Sequence, residues 1–211
     1  MSYSYSSIKV YEECPFKYKL TRIDRKQEPS GDAAERGKRI HAEFESAIKD
    51  LALITPEMEH WTDKLTELRE AQALCEYQFG IDDKWQPCSF TDPNVWFRGI
   101  FDIAVINGDT AHISDWKTGK ERDYGDQLKV YATIMLIFQP EINSVSLSID
   151  YIDLKKSTVY PTIFRHQLPD LKDALAARIF KIQNDSLYSP KPSYGCRWCH
   201  FRKDNGGPCK W

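Results

Sequence analysis

"VWFRGIFDIAVINGDTAHISDWKTGK", residues 95–120, decides the fold. Residues 95–106 are dominated by β-branched and aromatic side chains, 110–117 carry Thr110, Ile113 and Trp116, and Asn107-Gly108-Asp109 lies between them. An asparagine-glycine pair tolerates the positive φ angles of a tight hairpin, so the stretch reads as two antiparallel strands. A strand alternates its faces, which puts Asp115 and Lys117 on one side and Trp116 on the other. On the first arm Asp102 is flanked by apolar residues, where an ionised carboxylate is costly unless a cation or donor meets it. Asp102 and Asp115 are placed to meet across the hairpin. Two carboxylates beside a lysine make a hard-oxygen site suited to Mg²⁺ or Mn²⁺. An isolated D-x-K pair is more often a solvated surface pair, so the rest of the chain has to decide.

Working outward, "DYGDQLKVYATIMLIF" (123–138) reads as a buried helix. "SVSLSIDYI" (144–152) and "TVYPTIFRH" (158–166) follow as strands around a polar turn at Lys155–Ser157, and a last helix covers 170–184. Upstream, 6–20 reads as a short helix interrupted near Pro15. Residues 32–52 carry Ile40, Phe44, Ala47, Ile48 and Leu51 on one helical stripe. A further helix is expected over 57–79, with Met58, Trp61, Leu65, Leu68 and Cys75 in phase, and a strand over 84–90. The order is three helices, a β-rich centre holding one helix, then a helix and a tail: an α/β (α+β) chain.

The balanced charge (formally -2) and 41% hydrophobic content describe an ordinary globular protein with no net bias toward nucleic acid or membranes. The longest apolar run, Tyr131–Phe138, is far below the ~20 residues of a membrane span, and the N-terminus lacks a signal-peptide core, so a cytoplasmic protein is expected. In a reducing compartment, thiols serve as metal ligands or as small buried groups. Cys75 and Cys88 read as packing residues. Cys196, Cys199 and Cys209 cluster in the glycine-rich "GCRWCHFRKDNGGPCKW", and Cys14 lies in "YEECPFKYKL". His41 and Glu45, like Gln127 and Tyr131, are i and i+4 pairs that share a helix face. Each pair taken alone also fits plain packing.

In order, "SSIKVYEECPFKYKL", "RGKRIHAEFE", "GIFD", "SDWKTGK", "QLKVYA" and three tail cysteines resemble the RecB/AddB-type branch of the PD-(D/E)xK nucleases. The likeness is greatest to its small stand-alone iron-sulfur exonucleases, the CRISPR-associated and phage-like ones. The resemblance implies a restriction-endonuclease-like core, a central mixed sheet flanked by helices, forming a single nuclease domain over 1–211. Residues 84–184 would be the core, and 1–30 with 186–211 the metal-cluster region. It further implies His41, Asp102, Asp115 and the Trp116 carbonyl as ligands of Mg²⁺ or Mn²⁺, and Lys117 as the catalytic lysine. Gln127 and Tyr131 would support the site, and Glu45 would be either a second-metal ligand or a partner of Lys49. Metal-activated water would then cleave the phosphodiester in line, leaving a 5′-phosphate.

The same resemblance implies that Cys14, Cys196, Cys199 and Cys209 hold a [4Fe-4S] cluster joining the N-terminal helices to the C-terminal tail. The nine residues between Cys199 and Cys209 exceed the short final spacing of such tails. Zinc on three thiolates plus Cys14 or His200 is the rival. Residues 1–26 carry six basic and three acidic side chains, and 196–211 four and one. With Tyr11, Phe16, Tyr18, Trp198 and Phe201 interleaved, they suit single-stranded DNA, unless the rings pack around the cluster. No GxxxxGK[ST] loop is present, so a helicase or recombination protein would be a separate partner. The expected function is a single-stranded DNA exonuclease, 5′ to 3′, in DNA end processing, recombination or repair. A non-catalytic nucleic-acid-binding module with a structural zinc or iron-sulfur site, and a small redox protein, are the alternatives.

Overall fold

The computed structural model describes residues 2–49 and 53–211. Its elements are α1 (Tyr5–Glu13), α2 (Pro15–Tyr18), a π-helical turn (Lys19–Ile23), α3 (Asp32–Lys49), α4 (Thr62–Glu70), β1 (Leu74–Ile81), β2 (Pro87–Cys88), β3 (Phe97–Asn107), β4 (Thr110–Lys117), α5 (Gly125–Phe138), β5 (Ser144–Tyr151), β6 (Lys156–Phe164) and α6 (Leu168–Gln183). The chain divides into two units: Asp32–Asp173, and Tyr3–Gly31 with Ala174–Trp211. Among the described residues no helix is long and apolar enough to cross a membrane.

The first unit is a six-stranded mixed sheet in the order β2-β1-β3-β4-β5-β6. The 95–120 hairpin is its centre: β3 and β4 pair antiparallel from Asn107↔Thr110 to Ile103↔Ser114, and Gly108 at φ 58 supplies the turn. β4 and β5 are parallel, and α5 crosses between them, as a parallel pair requires. Helices cover both faces. On one, Ile40, Phe44, Ala47 and Ile48 of α3 and Leu65 and Leu68 of α4 form a core with Trp116 and Ile103. The Phe44 and Trp116 rings meet at 4.3 Å. On the other, Tyr131 of α5 packs edge-on against Phe79 and Phe101. Pro161 lies on the edge strand β6, at the register irregularity of its pairing with β5, where proline is tolerated.

Two expectations need correcting. The helix read over 57–79 ends at Glu70, and β1 occupies 74–81. A Schellman turn closes it: Ala73 N–H reaches Leu68 O at 2.9 Å and Gln72 N–H reaches Arg69 O at 3.0 Å. The left-handed residue is Gln72 (φ 52), where glycine is the usual signal, so the sequence shows no stop. Beyond it Phe79 and Ile81 are buried at the two-residue period of a strand. The strand expected over 84–90 is confined to Pro87–Cys88. The helix expected over 32–52 is described through Lys49, and Leu51 lies outside the described residues.

In the second unit Tyr11 sits edge-on to both Tyr18 and Tyr188, which stack on each other at 6.2 Å. Arg178 holds Glu12 by two hydrogen bonds, at 2.7 and 3.0 Å. The tail is a chain of tight turns: Cys199 N–H reaches Cys196 O at 3.1 Å and Cys209 N–H reaches Phe201 O at 2.9 Å. Gly207 runs so close to the Phe201 backbone that a Cβ there would stand 2.2 Å from it.

Candidate active site

The site forms where the sheet opens. Beyond Ile103↔Ser114 the β3/β4 ladder stops, so Asp102 is not paired with β4. On its other side the β1/β3 register passes from Cys75↔Ile103 to Tyr77↔Phe101 and leaves out Glu76 and Asp102. Glu76 adopts φ 48, a left-handed conformation that costs a non-glycine residue about 1 kcal/mol or more. β4 stays straight through Lys117 because β5 pairs it to Tyr151. In place of a ladder partner, Trp116 N–H donates to Asp102 Oδ2 at 2.9 Å.

His41 from α3 closes the group. A His41 ring nitrogen, Nε2, is 2.9 Å from Trp116 O, and the other, Nδ1, is 3.4 Å from Asp102 Oδ2 and 3.5 Å from Glu76 Oε1. Ligand atoms of His41, Glu76 and Asp102 all lie within 4.8 Å of one another. Adjacent ligands of an octahedral ion with bonds of 2.0–2.1 Å stand about 3 Å apart, so this spacing fits a divalent cation after small closure. Glu45 reaches Lys49 at 2.5 Å and, with His41 and Glu76, lines a cavity of about 550 Å³.

Asp115 and Lys117 face the opposite side from Trp116, toward α5. Asp115 is buried, its Oδ2 against the Lys117 ammonium and its Oδ1 accepting from Gln127 Nε2 at 2.9 Å. Gln127 Nε2 also lies 3.0 Å from the Tyr131 hydroxyl. The Lys117 ammonium sits 4.9 Å over the Tyr124 ring. Past Lys117 the chain turns at Gly119 (φ 93), whose N–H donates to Asp153 Oδ2 at 2.7 Å, and Asp153 is clamped by Arg36 at 2.7 and 3.0 Å.

The electrostatics mark this group as unsatisfied by the protein alone. Burial and the Asp115 charge push the Asp102 carboxyl up to about 7, although His41, Lys117 and the Trp116 N–H oppose the rise. Burial likewise raises Asp115 against the pull of Lys117. Burial lowers the His41 imidazole, but the Glu76 hydrogen bond and the charges of Asp102 and Asp115 outweigh it and lift it to about 9. Lys117 is raised too, its burial overcome by Asp115 and Asp102. The buried Asp150 provides a contrast. Lys64 at 2.5 and 2.6 Å, Ser157 at 2.5 Å and Ser114 all donate to it, which makes it a paired structural carboxylate.

Of the residues singled out from the sequence, His41, Asp102 and the Trp116 carbonyl come together, and Asp115, Lys117, Gln127 and Tyr131 form an adjoining network. Glu76 was not anticipated, because its segment reads as helix. The aromatic and β-branched Tyr77, Phe79 and Ile81 are the signal for the strand that carries it. In the second unit Cys14, Cys196, Cys199 and Cys209 line one cavity of about 730 Å³ as free thiols. Among the described residues no three sulfurs converge within 4.8 Å. Cys75 is buried.

A family model of the PD-(D/E)XK nuclease superfamily matches residues 2–203. Among solved structures, a proposed exonuclease from Eubacterium rectale aligns with a TM-score of 0.55 at 12% identity, covering 94% of this chain and 87% of that one. A second structure, SSO0001, aligns with a TM-score of 0.45 at 17% identity, covering 95% and 83%. A search of curated proteins gave no match.

Proposed function

The chain belongs to the PD-(D/E)XK nuclease superfamily, and from that premise we propose that it is a Mg²⁺- or Mn²⁺-dependent deoxyribonuclease that degrades single-stranded DNA from its ends, 5′ to 3′. The observation that carries this reading is the convergence of His41, Glu76 and Asp102 beside the Asp115–Lys117 pair at the opening of the sheet. The donor chemistry fits: two carboxylates and an imidazole suit Mn²⁺ or Mg²⁺, and a cation there would offset the burial and the Asp115 charge that raise Asp102 to about 7. When bound, the cation supplies Lewis-acid polarisation of the phosphate and a lowered pKa for water.

The chain's own residues do the positioning. The Trp116 carbonyl fixes the His41 ring, and the Trp116 N–H fixes Asp102. Gln127 orients Asp115, which holds Lys117 where its ammonium can offset charge growing on the phosphoryl oxygens. A non-catalytic binding module would have no use for the strained Glu76 or for carboxylates held at such cost.

For the second unit we propose a [4Fe-4S] cluster on Cys14, Cys196, Cys199 and Cys209. Its support is that all four border one cavity as free thiols. The protein would act in the cytoplasm, in DNA end processing, recombination or repair, beside a separate helicase or recombination protein.

The test is incubation of the purified protein with end-labelled single- and double-stranded DNA in Mn²⁺, Mg²⁺ or EDTA. Metal-dependent shortening of the single strand from the 5′ end is expected. Cleavage indifferent to EDTA, or none in any metal, would refute the reading.

A further inference from the structure

In the second unit the turn Tyr194–Trp198 carries an aromatic-arginine bracket. The Arg197 guanidinium lies 5.2 Å from the Tyr194 ring and 5.1 Å from the Trp198 ring, and its Nη1 donates to the Tyr194 hydroxyl at 2.9 Å. The two rings meet edge-to-face at 5.0 Å. Yet Tyr194 is 73% exposed and Trp198 67%. Among the unit's other aromatics Tyr11, Tyr18 and Tyr188 pack on one another and Phe201 is buried, while Phe180 and Trp211 are exposed. The bracket is therefore ordered by its own arginine while its ring faces stay in water.

We propose that Tyr194, Arg197 and Trp198 form a stacking site for the unpaired bases of single-stranded nucleic acid, separate from the metal-binding group. Every base has a π-face, so exposed rings bridged by a cation accept bases of any identity, whereas a duplex hides those faces within its own stack. The surrounding charge suits a polyanion. Residues 196–211 hold four basic side chains against Asp204, and Asp204 is already paired with Arg202. This inference rests on the nucleic-acid substrate proposed above and adds the place where single strands are told from double.

The experiment uses the full chain carrying Asp115→Ala, so that binding is read without cleavage, with Tyr194→Ala, Arg197→Ala and Trp198→Ala added singly. Fluorescence anisotropy is measured with a labelled oligo(dT), an abasic strand of the same length, and a duplex. Each added substitution should weaken oligo(dT) binding about five- to hundredfold and leave abasic-strand and duplex binding within roughly twofold. Trp198 also borders the cysteine-lined cavity and Tyr194 does not, so Tyr194→Ala keeps the test independent of any metal held there. Oligo(dT) bound as tightly by the variants as by the parent, as for a protein-docking patch, would overturn the proposal. So would equal parental affinity for abasic and base-bearing strands. Asp115-dependent cleavage with unchanged binding would remove the bracket alone, while absence of both cleavage and binding would remove the nuclease reading with it.

Discussion

Replacing Asp102 by asparagine should stabilise the metal-free protein at pH 8 while abolishing its activity. The carboxyl is held near 7 in the fold against an ordinary value near 3.9, and each pKa unit is worth about 1.4 kcal/mol. Keeping the folded group ionised at pH 8 therefore costs up to about 4 kcal/mol. Asparagine retains an oxygen for the Trp116 N–H and removes the charge. Allowing for relaxation, a gain of about 1–3 kcal/mol is expected, or about 2–10 °C in melting temperature for a chain of this size.

The sign reverses with conditions. A raised folded pKa contributes stability that is present below the unfolded value and is lost as pH rises through the folded one. At pH 5 the native Asp102 carries its proton but the unfolded carboxyl is still ionised, so Asn should bring only about a third of the pH 8 gain, and almost none below about pH 3.9. Saturating Mn²⁺ should stabilise the parent by about 3 kcal/mol at a hundred times its dissociation constant, and the Asp102→Asn protein far less. Thermal unfolding followed by circular dichroism at pH 5 and 8, in EDTA and in Mn²⁺, reads all four states. A loss of melting temperature at pH 8 in EDTA, or an equal gain at both pH values, would refute the electrostatic reasoning.

Glu76→Gly should relieve the left-handed backbone, hold or raise the melting temperature by roughly 1 kcal/mol equivalent, and still lower Mn²⁺ affinity in calorimetry; a clear destabilisation would make Glu76 structural. His41, at about 9, and Asp102, at about 7, must both shed protons to ligate a cation. Mn²⁺ binding at pH 6.5 should therefore release between one and two protons, read from calorimetry in buffers of different ionisation enthalpy, and should tighten as pH rises toward 9. Gln127→Ala frees Asp115 to turn, and should reduce metal affinity or cleavage about 10- to 100-fold with the fold intact by circular dichroism. Cys14→Ser should bleach anaerobically purified protein and deplete its iron and sulfide, whereas Cys75→Ser should keep the colour; the reverse pattern would discard the proposed ligands.

The hairpin 95–120 was legible because its signals are local. Asn107-Gly108 sets the turn, strand alternation separates Asp115 and Lys117 from Trp116, and i, i+4 spacing puts Gln127 beside Tyr131. These properties follow from backbone periodicity and need no partner. The end of α4 was not legible, since Gln72 fills a left-handed position that glycine would have announced, and with that turn went β1 and Glu76. The sequence alone could place Asp102 opposite Asp115 by extending the ladder one step. Only the tertiary structure decided that the ladder stops at Ile103↔Ser114, that Asp102 instead takes the Trp116 N–H, and that His41 and Glu76 arrive beside it. The cause is physical: where a strand leaves its neighbour depends on what α3 and β1 pack against it, and those contacts come from residues distant in the chain.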